Sequence, residues 1–245
     1  MELRLFVFHH AGGSHLLYRD WPSLFPADWD VRLLDAPGRG LLADLPAIGD
    51  VDELVDHFRT TLAPELTGTY ALFGHSMGGL IAYELTRRLL DEGRTPPVWL
   101  GLSARAVPRP VHEREQRHLL PDAELRRELA AMGGTPAAVL DDPELWELFA
   151  PAIRCDLRLV ETWTPAPETG PMPVPLSVYG GTEDATAPRA RLAPWSERAE
   201  RFLGLQLFAG GHFYFQSDPA ALTGRITHDI RRALQLARPA RTVGA

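Results

Sequence analysis

Short apolar segments alternate with helical patterns along the amino-terminal part of this sequence, and this alternation constrains the fold more than any other feature. Residues 3–8, 31–34, 70–73 and 98–102 have the pattern of buried strands, while 51–66 and 78–90 carry apolar residues at helical spacing. Strands that alternate with helices form a parallel sheet with helices packed on its faces. We therefore predict an α/β fold with a mostly parallel sheet flanked by helices, and we expect its functional groups at the carboxyl ends of the strands.

The alternation stops after Ser103, and a segment of different character runs from about residue 105 to residue 165. Its helical pattern is divided by Gly133-Gly134, Pro136 and Pro143, which favours short helices joined by hinges. We predict that residues 105–165, called the lid segment below, form a helical insertion in one domain spanning residues 1–245.

The lid segment carries a stripe of large apolar residues at helical spacing. Trp146, Phe149 and Ile153 belong to this stripe, and we expect them to shape a substrate pocket. The alternative is that the stripe simply packs on the core of the domain.

Composition excludes several classes of function. The formal net charge of −7 argues against nucleic-acid binding, which needs a basic face. All 25 basic residues are arginines, so mechanisms that depend on lysine are excluded. Cys155 is the only cysteine, so no intrachain disulfide can form, and a cysteine zinc site would need ligands from elsewhere. The apolar stretch at the amino terminus is too short for a signal peptide or a membrane span. We expect a cytoplasmic monomer with no cofactor, no metal and no membrane or nucleic-acid partner.

The sequence Gly74-His75-Ser76-Met77-Gly78 matches the G-x-S-x-G nucleophile elbow. It directly follows a predicted strand and opens a predicted helix, which is the context that the motif requires. Ser76 is therefore the candidate nucleophile. A serine hydroxyl reacts at neutral pH only when a base accepts its proton and a third group orients that base.

Two later strands end in residues that fit these roles. Residues 203–208 are followed by Gly210-Gly211-His212, and residues 174–179 are followed by a loop containing Glu183 and Asp184. The chain order serine, acid, histidine is the order of this motif's fold. We predict His212 as the base and Asp184 as the acid, with the adjacent Glu183 as the alternative.

A developing oxyanion needs two fixed N–H donors. The residue after the nucleophile supplies one of them in this fold, and here that residue is Met77. The loop after the first strand supplies the other, and its sequence His10-Ala11-Gly12-Gly13 allows a close backbone approach. We predict the backbone amides of Ala11 and Met77 as the oxyanion hole.

The chain resembles the stand-alone type II thioesterases of polyketide and nonribosomal peptide synthesis, which have the α/β-hydrolase fold. The resemblance covers nearly the whole chain. It is carried by His10-Ala11-Gly12-Gly13-Ser14 with Tyr18 and Trp21, Pro37-Gly38-Arg39, Gly74-His75-Ser76-Met77-Gly78-Gly79, Leu120-Pro121-Asp122-Ala123-Glu124 followed by Gly133-Gly134-Thr135-Pro136, and Gly210-Gly211-His212-Phe213.

The resemblance implies hydrolysis of acyl groups from the phosphopantetheine arm of acyl or peptidyl carrier proteins, through an acyl-enzyme intermediate. In the family this reaction clears stalled or misprimed chains or releases a product. Carried over residue by residue, the family pattern implies the same roles for Ser76, Asp184, His212, Ala11 and Met77 that the residues themselves predict.

Two alternatives remain open at this stage. A carboxylesterase or lipase would use the same three side chains on an oxygen ester, and a catalytically inert binding protein could have a hydrolase frame. We also predict that Arg105, Arg109, Arg114 and Arg117 dock an acidic carrier protein, the alternative being a solvated face balanced by Glu113 and Glu115.

Overall fold

The fold is known from a computed structural model, which describes residues 3–108, 115–165 and 170–237. Its centre is a six-stranded sheet in the order β2-β1-β3-β4-β5-β6, and every pairing between neighbours is parallel. The strands are β1 Leu3–Phe8, β2 Trp29–Leu34, β3 Tyr70–His75, β4 Leu100–Ser103, β5 Leu176–Gly181 and β6 Phe202–Phe208. This architecture confirms the predicted fold class.

The sheet is flanked by helices that separate its strands along the chain. The α-helices are α1 Val51–Thr61, α2 Met77–Asp91, α3 Asp122–Met132, α4 Ala137–Asp141, α5 Pro143–Thr162, α6 Arg189–Leu192 and α7 Pro219–Leu236. Short 3₁₀ turns lie at His15–Tyr18, Trp21–Leu24, Gly40–Leu42, Arg117–Leu119, Ala193–Arg198 and Tyr214–Gln216. Among the described helices, none is long and apolar enough to cross a membrane.

Helix α1 shows how local sequence sets an element's ends. The Asp50 side chain accepts the Glu53 N–H and caps the first turn. The apolar pattern alone predicts a helix as far as residue 66, but the helix ends at Thr61. Pro64 explains the difference, because proline disfavours helical geometry in the preceding residue and has no N–H to continue the ladder.

Strand β3 is an inner strand of the sheet, and the nucleophile elbow follows it directly. All of its residues are buried, as expected for an inner strand of a parallel sheet. Its neighbour β1 runs in register with it, so Phe8 lies beside Gly74. The loops after β1 and β3 therefore leave the sheet side by side.

The helices of the lid segment have a small apolar core of their own. It consists of Leu125, Leu129, Leu140, Trp146, Ala150, Ile153 and Leu157. Farther along α5, Leu159 and the following Trp163 join the main core instead. Most of α5, as far as Leu157, thus packs within the lid segment, and the end of the helix packs on the main core.

Candidate active site

Ser76 lies at the turn between β3 and α2 in a strained backbone conformation, with φ 55° and ψ −112°. Close packing explains the flanking glycines. A Cβ on Gly74 would come within 2.0 Å of the Gly78 carbonyl oxygen, and one on Gly78 within 2.2 Å of the Phe8 carbonyl oxygen. The Ser76 N–H donates to the Ser103 carbonyl at 2.7 Å, which ties the elbow to the end of β4.

The predicted base and acid are in direct contact. His212 Nδ1 lies 2.8 Å from Asp184 Oδ2, and both side chains are buried. The other Asp184 oxygen accepts the backbone N–H groups of Thr186 and Ala187 at 2.8 and 3.0 Å. Burial opposes ionisation, but the hydrogen bonds from His212 and these N–H groups lower the pKa of Asp184 below its usual value.

The alternative acid, Glu183, is exposed. Its backbone N–H donates to the Gly210 carbonyl at 2.9 Å, so this position fastens the acid loop to the histidine loop. The structure therefore brings Asp184, and not the Glu183 side chain, to His212.

Ser76 and His212 line the same cavity, which has a volume of about 140 Å³. Within the described residues, no hydrogen bond joins the Ser76 hydroxyl to His212. Bonds between nucleophile and base are often long without substrate and tighten in the complex. The evidence that Ser76 and His212 belong to one site is therefore that both line the same cavity.

The two predicted oxyanion donors lie on the loop after β1 and at the start of α2. Ala11 lines the cavity wall. Met77 is the first residue of α2, where backbone N–H groups have no partner within the helix. The neighbouring Gly12 N–H donates at 2.7 Å to Asp156, which lies on α5.

Two further histidines lie beside the candidate site, and their sequence pattern predicts no catalytic role for them. His75 and His10 flank Ser76 and Ala11 in the chain, and the His75 ring lies 5.1 Å from the His212 ring. Burial, with the charge of His212 as a smaller cause, holds the pKa of His75 well below its usual value. Burial does the same for the pKa of His10, together with the charges of His9 and His212. Both rings are therefore neutral at neutral pH. The only sign of them in the sequence is that each lies inside one of the two motifs of the site.

The expected pocket residues on the lid segment need correction. Trp146 is buried and lies under the Arg126 guanidinium at 4.7 Å, Phe149 is 41% exposed, and Ile153 packs toward Gly12. None of the three lines the cavity. Its apolar wall is formed instead by Leu129, Met132, Leu157, Val160 and Trp163. The stripe on α5 is real, but Trp146 and Ile153 pack in the core of the lid segment and Phe149 is exposed.

The arginines predicted to dock a carrier protein have different surroundings. Arg105 lines the cavity, and its guanidinium lies 5.2 Å from the centre of the Trp163 ring. Arg117 also lines it and pairs with Glu115 at 2.6 Å. Arg109 and Arg114 lie outside the described residues. In residues 3–108, 115–165 and 170–237, no cluster of three or more histidine, cysteine or acidic side chains could hold a metal ion.

Comparison with known proteins points to one family. The family model described as "Thioesterase domain" matches residues 3–230. The gramicidin S biosynthesis protein GrsT of Aneurinibacillus migulanus is 29% identical over 213 residues, which cover 87% of this chain and 83% of that protein.

Two solved structures are close in fold and length. ClbQ from the colibactin pathway superposes with a TM-score of 0.89 at 27% identity, covering 97% of this chain and all of that one. The type II thioesterase BorB from the borrelidin cluster superposes with a TM-score of 0.82 at 33% identity, covering 94% of each chain.

Proposed function

This chain belongs to the thioesterase domain family, and from that membership we propose that it hydrolyses acyl thioesters on the phosphopantetheine arm of acyl or peptidyl carrier proteins. The observation that carries the proposal is the His212–Asp184 hydrogen bond beside a cavity that also contains Ser76. The similarity to type II thioesterases of polyketide and nonribosomal peptide pathways supports the choice of substrate class.

His212 acts as the base through Nε2. Asp184 accepts a hydrogen bond from Nδ1–H, which fixes the tautomer and leaves Nε2 free to take the Ser76 proton. Ser76 Oγ then attacks the thioester carbonyl, and the tetrahedral oxyanion is stabilised by the amides of Ala11 and Met77. Collapse of this intermediate breaks the carbon–sulfur bond, His212 returns the proton to the departing thiolate, and the acyl group stays on Ser76 as an ester.

Hydrolysis of that ester completes the cycle. Water replaces the thiol, His212 takes a proton from it, and the resulting hydroxide adds to the acyl carbonyl under the same two amides. The second collapse breaks the bond to Ser76 Oγ, which recovers its proton from His212 and releases the carboxylic acid. Asp184 remains ionised throughout, consistent with its lowered pKa.

The cavity wall has an apolar part that suits an acyl chain and a separate set of polar side chains. Leu129, Met132, Leu157 and Val160 supply apolar surface, whereas Arg105, Glu115, Arg117 and Glu161 supply polar surface. An apolar wall with few polar groups is the usual composition of a small-molecule site. We assign the apolar part to the acyl group and the polar part to the phosphopantetheine arm.

The test compares one acyl group on three carriers: a phosphopantetheinylated carrier protein, N-acetylcysteamine and an oxygen ester of matched size. We expect kcat/KM to be highest for the carrier protein and lowest for the oxygen ester, and Ser76→Ala to abolish all turnover without lowering the melting temperature. A preference for the oxygen ester would favour a carboxylesterase instead. Failure of the folded wild type to react with a fluorophosphonate would favour an inert protein.

A further inference from the structure

Asp156 is a fully buried carboxylate on α5 that contacts the loop after β1. Its Oδ2 accepts the Gly12 N–H at 2.7 Å. The guanidinium of Arg39, itself buried, binds both of its oxygens, with Nη2 at 2.9 Å from Oδ1 and Nη1 in contact with Oδ2. We propose that Asp156, held by Arg39, is a positioning residue that fixes the Ala11 amide of the oxyanion hole through Gly12. The inference rests on the proposed function, in which Ala11 is an oxyanion donor.

The loop that carries Ala11 is a tight turn. The Gly13 N–H donates to the His10 carbonyl at 3.1 Å and closes the turn around Ala11 and Gly12. Gly12 has φ 73°, the value of the third residue of a type II turn. Turn types I and II differ in the orientation of the central peptide unit, which here joins Ala11 to Gly12. The bond to Asp156 holds this central unit in the observed orientation, because a flipped unit would direct the Ala11 carbonyl toward a buried carboxylate. The Ala11 N–H belongs to the preceding unit, whose carbonyl accepts the Gly13 N–H and which meets the central unit at the Ala11 Cα. A fixed central unit therefore fixes the turn that presents the Ala11 N–H.

Arg39 supplies the opposite charge that a buried carboxylate needs. A buried carboxylate without a partner is strongly disfavoured. The two-pronged contact with Arg39 offsets that cost, and a charged acceptor forms a stronger bond to an N–H than a neutral one does. Through this ion pair, Arg39 at the end of the Pro37-Gly38-Arg39 motif stabilises the turn after β1.

Helix α5 carries both Asp156 and residues of the cavity wall. Leu157 and Val160, which line the cavity, lie on the same helix as Asp156. Ile153, one turn earlier, fills the space beside Gly12, since its Cγ1 would lie 2.8 Å from a Cβ at that position. One rigid helix therefore holds both the acyl wall and the anchor of the oxyanion turn.

The test uses two double variants that both remove the ion pair and differ only in the acceptor for Gly12. Arg39→Met/Asp156→Asn keeps a side-chain oxygen at the position of Oδ2, and Arg39→Met/Asp156→Leu removes it with similar volume. Each is assayed with an N-acetylcysteamine thioester for kcat and KM, and its melting temperature is measured. We expect the Leu variant to lose 10- to 100-fold in kcat with KM within twofold, because small displacements of catalytic groups have effects of this size. The Asn variant recovers most of the kcat.

Other outcomes overturn the inference. A folded Leu variant with kcat within twofold of wild type shows that the turn needs no anchor. Equal losses in both variants show that the ion pair, not the bond to Gly12, is what matters. If the Leu variant does not fold, Arg39→Met/Asp156→Ala takes its place in the same comparison and must show the same selective loss in kcat. A wild type that does not hydrolyse the thioester fails the proposed function itself, which separates the two failures.

Discussion

Asp184 and Glu183 are neighbours in the chain with the same charge, but they have opposite surroundings. The Asp184 carboxylate is buried and accepts three hydrogen bonds, whereas the Glu183 side chain is exposed. The sequence leaves both open because each follows the same strand. Only the path of the loop, fixed by the Glu183 N–H on the Gly210 carbonyl, decides which carboxylate reaches His212.

Asp184 and Glu183 allow a matched test of which carboxylate is the acid. Asp184→Asn keeps the shape of the side chain but can donate a hydrogen bond to His212 and favour the wrong tautomer. We expect kcat to fall by about ten thousandfold, the effect of the same change in serine proteases. Glu183→Gln removes an equal charge one residue away and should leave kcat within twofold. The reverse pattern would show that Glu183 is the acid.

The buried pair Arg39–Asp156 marks the limit of sequence reasoning at this scale. Its members are 117 positions apart and lie in different parts of the fold. The Pro37-Gly38-Arg39 motif contributes to the family resemblance, but nothing near it indicates which carboxylate Arg39 meets. Ser76 and His212, in contrast, could be identified because each follows a strand within a short motif.

At the scale of elements, the strands and the position of the elbow were predictable because their signals are local. An apolar strand that ends in G-x-S-x-G fixes both the element and its functional end. The lid segment was harder to interpret. A helical stripe shows which face is buried, but not whether that face meets a substrate or another helix. Trp146 and Ile153 meet the core of the lid segment, and the cavity is lined farther along α5, at Leu157 and Val160.

The residues that line the cavity give a prediction about acyl-chain length. Met132 and Val160 line the cavity and are each partly buried. Met132→Ala and Val160→Ala enlarge it, and we expect about a tenfold shift in kcat/KM toward a chain longer by one or two methylenes. The measurement is the kcat/KM profile over a series of N-acetylcysteamine thioesters. Phe149→Ala is the control, because this exposed side chain on α5 lies outside the cavity. An unchanged profile in both cavity variants would mean that another wall limits the acyl chain.

At the scale of the whole molecule, buried histidines make stability depend on pH. His9, His10 and His75 are all buried, and burial is the largest cause that lowers the pKa of each. Each contributes stability above its unfolded pKa of 6.5 that is lost as the pH falls below that value. The loss has a limiting slope of about 1.4 kcal/mol per pH unit for each histidine, since the unfolded chain takes up a proton that the folded protein does not.

Glu84 on α2 makes a contribution to stability with the opposite pH dependence. Burial raises the pKa of its carboxyl from 4.5 to about 7, although the charges of Arg87 and Arg105 oppose the shift. The folded protein therefore keeps a proton there that the unfolded chain has lost. This contribution to stability is fully present below pH 4.5 and is lost as the pH rises through about 7.

The two effects can be separated by measuring the free energy of unfolding in urea at intervals from pH 5 to pH 8. His75→Asn retains an amide group near the Ser103 hydroxyl that His75 Nδ1 contacts at 2.8 Å, but it does not titrate. We expect it to reduce the slope of stability against pH between pH 5 and 6.5 by up to about 1.4 kcal/mol per pH unit, whatever its effect on absolute stability. Glu84→Gln should steepen the rise over the same interval, because it mimics the protonated carboxyl at every pH and removes the opposing contribution. Parallel stability curves for wild type and His75→Asn would mean that the imidazole takes up its proton equally in the folded and unfolded chains.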